Sequence, residues 1–247
     1  MTRGDSGRPS RTGALMQHYL FRALSIFWLA TPVSTEAKPE TKLCDTTNIS
    51  VSGARPGDLE LACDAVRAAR AVFEKCAIPR PEGVLKIEIV DDMEPGCVGL
   101  FHCGEGRIEV LSPGGMAQRR AATDAFGHLT IESYFRSIIV HEVAHALFDV
   151  VPCPFDACHT ANEYIAYAIQ IKSLTARERA GFEASYDFKR RVSRDELSTM
   201  ILFMAPGLFA QKTWAHLSQR DDTCGYLGRI LDGTVLDGTV LLDHERH

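Results

Sequence analysis

The sequence lacks any excess of positive charge. Its 27 lysines and arginines are outnumbered by 32 aspartates and glutamates, and the formal net charge of the 247 residues is -5. No run of basic residues alternates with aromatic residues along the chain. Because a protein that neutralises phosphates needs a basic surface, we expect no nucleic acid partner.

Two motifs of common enzyme classes are also missing. The chain has neither a glycine-rich phosphate loop nor a G-x-S-x-G nucleophile elbow, which excludes the chemistries that depend on them. The composition, with 45% hydrophobic and 24% charged residues, is ordinary for a globular protein. A disordered chain, a collagen and a coiled-coil rod are therefore excluded as fold classes.

The N-terminal region lacks an apolar run long enough for a membrane anchor. The apolar segment at residues 23–33 follows Arg22 and is broken by Pro32, and a bilayer span needs roughly 20 apolar residues. Four arginines and one acid occupy the segment before it. A basic segment followed by a short apolar one is typical of a cleaved export signal. We predict such a signal over residues 1–37, starting at Met1 or Met16, and a secreted or periplasmic protein without stable membrane insertion.

Eight cysteines follow the predicted signal, but they lack the close C-x2-4-C pairs of cysteine-ligated zinc sites. An even number of cysteines in an exported protein favours disulfide bonds. We expect up to four bridges, with one or two free buried cysteines as the alternative. The eight residues are Cys44, Cys63, Cys76, Cys97, Cys103, Cys153, Cys158 and Cys224.

The mature chain, residues 38–247, predicts a single α+β domain with a polar tail from about residue 231. No composition shift suggests a linker within it, and strands near the start precede a run of helices. The predicted elements are a short strand at 48–52, a helix at 59–76, an alternating strand at 84–90, a hairpin of strands at 97–103 and 107–111 joined by Gly104-Glu-Gly106, a loop at 112–129, and helices at 131–149, 161–171, 175–190 and 195–218. Apolar or small residues spaced 4-3-4, at Ala62, Val66, Ala69 and Phe73, form one face of the first helix, and Thr130 can cap the helix at 131–149.

One motif on a predicted helix carries metal chemistry. Residues 141–145 read His-Glu-Val-Ala-His, and histidines at i and i+4 lie one turn apart on the same helix face. Both imidazoles can therefore reach a single Zn²⁺, with Glu142 beside them. The alternative is that the histidines are only packed or exposed helix residues. A catalytic zinc takes three protein ligands, so a third ligand is needed.

Glu163 is the predicted third ligand. It lies eighteen residues after His145 on the next predicted helix, and the intervening loop allows the chain to turn back toward the metal. His159, in that loop, is the alternative ligand. A bridge between Cys153 and Cys158 would fix the direction from which Glu163 approaches.

The motif at residues 141–149, together with Asn162-Glu163, resembles the gluzincin branch of the zincin metallopeptidases, which includes the thermolysin-like enzymes. This resemblance implies a zincin-like domain with a small mixed or antiparallel sheet, an HExxH helix and a mainly helical C-terminal part. It also implies roles for individual residues: His141, His145 and Glu163 as zinc ligands, Glu142 as general base, Asp149 as an acid that orients a ligand histidine, and Gly99, Leu100 and Phe101 on a strand edge that pairs with an extended peptide.

The chain departs from that family pattern in two places. Four residues after Glu163, where the family usually has a carboxylate or hydroxyl that supports the first histidine, this chain has Tyr167. No motif identifies the group that stabilises the developing oxyanion, for which His216 and Tyr186 are candidates.

These observations predict an exported zinc-dependent peptidase that acts on a peptide or protein through a metal-activated water. The alternative is a catalytically inactive binding domain, held together by disulfides, on the same scaffold. Substrate specificity and oligomeric state stay open.

Overall fold

A computed structural model describes residues 39–44, 48–53, 55–81, 83–121, 124–151, 158–232 and 234. The predicted export signal and most of the polar tail lie outside these residues. Within them the α+β prediction is confirmed, since one five-stranded mixed sheet is accompanied by eight α-helices. None of the described helices is long and apolar enough to cross a membrane.

The sheet has the strand order β1-β2-β3-β5-β4. The strands span Glu40–Leu43 (β1), Ile49–Gly53 (β2), Leu85–Val90 (β3), Gly99–His102 (β4) and Arg107–Leu111 (β5). The central pairs β2/β3 and β3/β5 are parallel, whereas the outer pairs β1/β2 and β4/β5 are antiparallel. Strand β4 is therefore an edge, paired on one side only.

The crossover between the parallel strands β2 and β3 is a single long helix, α1 (Pro56–Lys75). Parallel neighbours need such a connection, because a tight turn can join only antiparallel strands. Its buried face includes Ala62, Val66, Ala69 and Phe73, at the predicted spacing of four, three and four residues. The prediction of this helix is confirmed, although it begins three residues earlier than the pattern indicated.

The predicted hairpin between β4 and β5 is also confirmed. Gly104 and Gly106 in the connecting turn both have positive φ angles, 75° and 60°, a region that residues with a side chain avoid. A Cβ on Gly106 would in addition lie 2.6 Å from the backbone oxygen of Val84. The turn therefore requires glycine at this position.

Helix α3 (Ile131–Phe148) lies in the centre of the helical layer, between α1 and α4 (His159–Ser173). Thr130 caps it as predicted, with its hydroxyl accepting a hydrogen bond from the Ser133 amide at 3.2 Å. Thirteen of its eighteen residues are buried. The HExxH sequence at residues 141–145 therefore lies on a helix that is enclosed on most sides.

The segment 112–129, predicted as a loop, contains a short helix, α2 (Pro113–Arg119). Ser112 starts this helix by accepting a hydrogen bond from the Gly115 amide at 3.3 Å, and proline at the first helical position has a suitable φ angle. Ser112-Pro113 is a helix-start signal in the sequence. The loop was predicted instead because the segment is rich in glycine and alanine.

The C-terminal half is more segmented than predicted. Helix α5 (Ala176–Glu183) is shorter than the predicted helix at 175–190. The single helix predicted at 195–218 is divided into a 3-10 turn at Arg194–Glu196, α6 (Thr199–Met204) and α7 (Pro206–Ser218). Pro206 explains the second break, since it disfavours a helical conformation at Ala205. Helix α8 (Thr223–Leu231) was not predicted.

Two disulfides connect α1 and the residue that follows it to other parts of the chain. Cys44 pairs with Cys63, and Cys76 pairs with Cys224 at the start of α8. Cys158 is also disulfide-bonded, while the predicted bridge between it and Cys153 involves a residue outside the described ranges.

Cys97 and Cys103 are free thiols, so the four-bridge maximum is not reached. The alternative of free buried cysteines is only half right, because Cys97 is half-buried and Cys103 is exposed. The two thiols flank opposite ends of the extended strand β4. Since consecutive strand residues advance about 3.3 Å, they are too far apart to bond to each other.

His216 lies in the core formed by α4, α7 and α8, and is 6% exposed. The Arg220 guanidinium, which can only donate, is 2.7 Å from Nε2. Nε2 must therefore be the acceptor, and Nδ1 donates to the Tyr164 hydroxyl at 2.9 Å. This arrangement requires a neutral imidazole.

We expect His216 to make the fold sensitive to acid. Burial, reinforced by the charges of Arg220 and Arg194, lowers the pKa of His216 from 6.5 to about 4. Its contribution to the free energy of unfolding is complete above pH 6.5 and is lost as the pH falls toward 4. From pH 7.5 to 4.5 the stability advantage of the wild type over His216→Gln should shrink by at most about 2.5 kcal/mol.

Urea unfolding at a series of pH values measures this difference. The control is His128→Gln, which replaces an exposed histidine outside the metal cavity and should leave the pH profile unchanged. Parallel profiles for the wild type and His216→Gln would contradict the assignment.

Candidate metal centre

The structure brings the three predicted ligands together. His141 and His145 project from one face of α3, with ring centroids 4.7 Å apart, and Glu163 faces them from α4. The Glu163 carboxylate lies 3.3 Å from His141 Nε2 and 3.6 Å from His145 Nε2. One ligand atom from each residue falls within 4.8 Å of the others. The three side chains form a compact group between two packed helices.

The Nδ1 atom of each histidine has its own hydrogen-bond partner on α4. His145 Nδ1 is 2.7 Å from Asn162 Oδ1, and His141 Nδ1 is 3.1 Å from Gln170 Oε1. An amide oxygen can only accept, so both Nδ1 atoms carry the proton. Asn162 directly precedes Glu163, and Gln170 follows it by two helical turns.

A chain of buried hydrogen bonds sets the orientation of the Gln170 amide. Ser137 donates its hydroxyl proton to the Tyr134 backbone oxygen at 2.8 Å. The Ser137 oxygen accepts from Gln170 Nε2 at 3.1 Å, which leaves Oε1 to face His141. Gln170 is fully buried and Ser137 is 2% exposed, so water does not compete for these bonds.

The two Nε2 atoms consequently present lone pairs to the Glu163 carboxylate. Three acceptor atoms that face one another in a largely buried position repel unless a metal ion or a proton lies among them. Two imidazole nitrogens and one carboxylate oxygen are ligands that suit zinc and related divalent metals. The residues therefore fit a metal ion.

Glu163 keeps its negative charge despite its burial. Burial acts to raise its pKa, but His141, which in its protonated form donates a hydrogen bond to the carboxylate, and the positive charges of protonated His141, His145 and His159 outweigh that effect. The net result is a pKa below the ordinary value. An ionised carboxylate is the form that binds a metal.

Glu142 lies on the side of α3 that faces strand β4. It is 6% exposed, and burial raises its pKa to about 7, with a further contribution from the Glu163 charge. A positive charge on His145, when that ring is protonated, and the backbone amide of Phe101, which donates toward the carboxylate, act in the opposite direction. Glu142 can therefore gain or lose a proton near neutral pH.

Gly99 on β4 allows this close approach. A Cβ at this position would lie 2.5 Å from Glu142 Oε1 and 2.8 Å from Ile138 Cγ2. Such distances are shorter than any tolerated contact, so the strand and the helix can pack this closely only around glycine.

The hydrogen-bonding pattern of β4 leaves alternate backbone groups unpaired by the sheet. The Leu111 amide donates to the Val98 oxygen at 2.9 Å, and hydrogen-bonded pairs alternate along an antiparallel ladder. The amide and carbonyl groups of Gly99 and Phe101 therefore point away from β5. The Phe101 amide is directed at Glu142 and not at β5, as this alternation requires.

A cavity of about 960 Å³ contains the metal-binding group and the β4 edge. Gly99, Leu100 and Phe101 all line it, as do His141, Glu142, His145 and Glu163. His159 is also in the wall, but it is exposed and does not belong to the three-residue ligand group. Glu163 is therefore favoured over His159 as the third ligand.

Asp149 does not orient a ligand histidine. It lies at the C-terminal end of α3, and its carboxylate accepts hydrogen bonds from the Gly104 amide at 3.0 and 3.2 Å. There it connects the helix end to the β4–β5 turn. The expected orienting role is filled by Asn162 and Gln170, because these residues face the histidines from α4.

The two oxyanion candidates are not among the residues that line the cavity. His216 belongs to the core described above, and Tyr186 packs against Phe188 with ring centroids 5.1 Å apart. Tyr167, noted as a departure from the family pattern, does line the cavity and packs edge-on against His141 at 4.5 Å. Burial and the two carboxylates Glu163 and Glu142 raise the pKa of Tyr167, so its phenol stays protonated.

Sequence reasoning missed Gln170 as part of the site. The spacing could have identified it, because a residue seven positions after Glu163 lies on the same side of the helix. The sequence offered no indication that its amide would be oriented through Ser137, a residue of the neighbouring helix.

The fold and the site define a protein of the α+β class with a buried His-His-Glu group and a glutamate beside it. The chain belongs to the family of unknown function DUF6639, whose model matches residues 49–239. The comparisons with curated proteins and with solved structures gave no match.

The contact between Gly99 and Glu142 predicts that Gly99→Ala is destabilising. The added methyl group forces β4 away from α3, and overpacking of this kind costs about 1–3 kcal/mol. The matched control is Gly228→Ala in α8, where no atom lies within 4 Å of the new Cβ and helix propensity favours alanine. Urea unfolding measures both variants, and equal stabilities would contradict the steric argument.

Gln170 is expected to control metal affinity through His141. Gln170→Leu removes the acceptor for Nδ1, so the zinc dissociation constant should rise about 10- to 100-fold. Gln170→Glu retains a carbonyl-type acceptor at the same position and should stay much closer to the wild type. Competition with a chromophoric chelator measures the affinities, and urea unfolding verifies that both variants are folded. Unchanged affinity in Gln170→Leu would contradict this role.

Proposed function

We propose that the protein is an exported, zinc-dependent peptidase of the gluzincin type. The observation that carries the proposal is the convergence of two neutral imidazole nitrogens and an ionised carboxylate at one buried point, within a cavity that also holds Glu142. The HExxH and Asn-Glu motifs resemble that class. The family assignment neither supports nor opposes a peptidase, because its function is unknown.

His141, His145 and Glu163 would hold the metal. When bound, a zinc ion supplies Lewis acidity and lowers the pKa of a water molecule toward 7. The hydrogen bonds from His145 to Asn162 and from His141 to Gln170 keep both Nε2 atoms available as ligands and fix the ring planes. Such support increases the basicity of the imidazoles and the metal affinity.

Glu142 would act as the general base. A base functions best when its pKa is close to the working pH, and burial gives Glu142 a pKa of about 7. Its carboxylate would take up the proton of the attacking water and then pass it to the leaving amine. The Phe101 amide and the space beside Gly99 hold the carboxylate in position during both transfers.

Strand β4 would bind the substrate backbone. The outward amide and carbonyl groups of Gly99 and the outward carbonyl of Phe101 are suited to pair with an extended peptide, which would add a strand to the sheet edge. Peptide pairing of this kind is independent of side-chain identity. The substrate class is therefore a peptide or an extended protein segment.

Export fits the cysteine chemistry. Disulfides such as Cys44–Cys63 and Cys76–Cys224 persist in oxidising compartments. The predicted signal over residues 1–37 is the second argument for a secreted or periplasmic location. Expression of the full chain with cell fractionation tests it.

The second candidate function is an inactive binding domain on the same scaffold. It is favoured by one observation, the location of both expected oxyanion groups, His216 and Tyr186, outside the cavity lining. Such a domain could retain the metal for stability and still bind an extended peptide along β4.

Substitutions in the HExxH motif separate the two functions. We expect Glu142→Gln to retain one zinc per chain and to lose about 10²- to 10⁴-fold in peptide hydrolysis, since general base catalysis is removed. Glu163→Ala and His141→Ala should lose both the metal and the activity. Elemental analysis and cleavage of a peptide library are the two measurements.

The matched control is Glu132→Gln, which removes an exposed glutamate from the same helix and should change neither readout. Undiminished hydrolysis by Glu142→Gln would contradict the peptidase proposal. Zinc binding without hydrolysis in the wild type would favour the binding domain.

A further inference from the structure

A second cavity, of about 320 Å³, shares no lining residue with the metal centre. Its wall is formed by the last turns of α1 and α4, by α5, by α7 and by the first residue of α8. The disulfide Cys76–Cys224 joins two of these elements, because Cys76 lies in the wall and Cys224 follows Thr223. The cavity is therefore built from covalently and sterically fixed parts.

All charged residues that line this cavity are cations. They are Lys75, Lys172 and Arg179, and no aspartate or glutamate lines it. Among the described residues, none of the three forms an ion pair within 4 Å. This is notable in a chain whose net charge is -5, where acids to neutralise them are abundant.

The hydrogen-bond partners of two of these cations are neutral groups. Lys172 Nζ donates to the Thr223 hydroxyl at 3.0 Å, and an Arg179 nitrogen donates to the Leu174 carbonyl at 3.4 Å. Lys75 and Lys172 also lie in the last turns of their helices, where the helix dipole favours a positive charge. These interactions place the cations but leave their charge without a counter-ion.

Lys172 is half-buried and lies close to the other two cations. Partial burial and the positive charges of Lys75 and Arg179 lower its pKa, and the opposing effect of Asp222 does not compensate. Asp222 itself is occupied as the cap of α8, where its carboxylate accepts from the Gly225 amide at 2.8 Å. An anion in the cavity would relieve this repulsion.

We propose that the second cavity is a binding site for a tetrahedral oxyanion, a phosphate or sulfate group, either free or as the end of an ester. Three cations from three helices can surround such a group, and arginine is suited to its geometry. Trp214, which donates its indole N–H to Glu183 at 2.9 Å, supplies an apolar wall. A volume of about 320 Å³ exceeds that of one water, about 30 Å³, several-fold and leaves room for the organic part of an ester.

Calorimetric titration of the metal-free full chain at low ionic strength tests the site, because phosphate could otherwise bind a metal. Inorganic phosphate and phenyl phosphate are the two probes, with chloride at equal ionic strength as the reference. We expect saturable binding with one anion per chain. Binding of both probes indicates a site that accepts an ester, whereas binding of inorganic phosphate alone indicates a site for the free ion.

Two variants keep the test specific. Lys172→Gln and Arg179→Gln should each weaken phosphate binding at least ten-fold. The increase in melting temperature that phosphate produces should be smaller in both variants than in the wild type. Lys189→Gln, which removes an exposed lysine outside the cavity, should bind like the wild type. Glu163→Ala should also bind normally, which separates this site from the metal centre. Absence of saturable binding at 10 mM, or equal binding by all variants, would overturn the proposal.

Discussion

The packing of α4 against α3 is the constraint on which the candidate site depends. It buries two imidazoles, and each buried ring nitrogen then needs a partner. The amides of Asn162 and Gln170 satisfy the Nδ1 atoms. Only the Nε2 atoms and the Glu163 carboxylate are left, and all three are acceptors directed at one point. A metal ion, or a proton on one imidazole, can neutralise this convergence of acceptors.

The sheet edge is coupled to the same helix pair. The Glu142 side chain fits between α3 and β4 because Gly99 has no side chain. The Phe101 amide faces Glu142 because alternate residues of β4 direct their backbone groups away from β5. The contact between α3 and β4 thus has two effects. It buries the Glu142 carboxylate, which raises its pKa, and it places the unpaired backbone groups of β4 beside that carboxylate. A change in the α3–β4 distance would affect both.

The second cavity also brings together side chains that attract one class of ligand, but these side chains are positively charged. At the metal centre acceptor atoms converge, and around Lys172 cations converge. Both groups lie where helix ends or faces meet, so the packing of the helices rather than the local sequence brings these side chains together. In each case the chemistry of the converging side chains supports the proposed class of ligand, a divalent metal or an oxyanion.

Local patterns predicted the elements near the site well. The alternation in β3, the apolar spacing in α1 and the glycines of the β4–β5 turn each reflect forces within one segment, so the sequence is sufficient. Prediction failed where a local signal was weak or was overridden. Helix α2 depended on a single Ser-Pro cap, and the break at Pro206 divided a region whose apolar pattern continued through it.

The sequence by itself determined that His141 and His145 share a helix face and that Glu163 follows on the next helix, because helical periodicity is a property of the local backbone. Only the tertiary structure decided that Asp149 contacts Gly104, that Gln170 orients His141 through Ser137, and that Lys75, Lys172 and Arg179 surround one cavity. These contacts join residues far apart in the chain, and their geometry is set by how helices and strands pack, which no local pattern encodes.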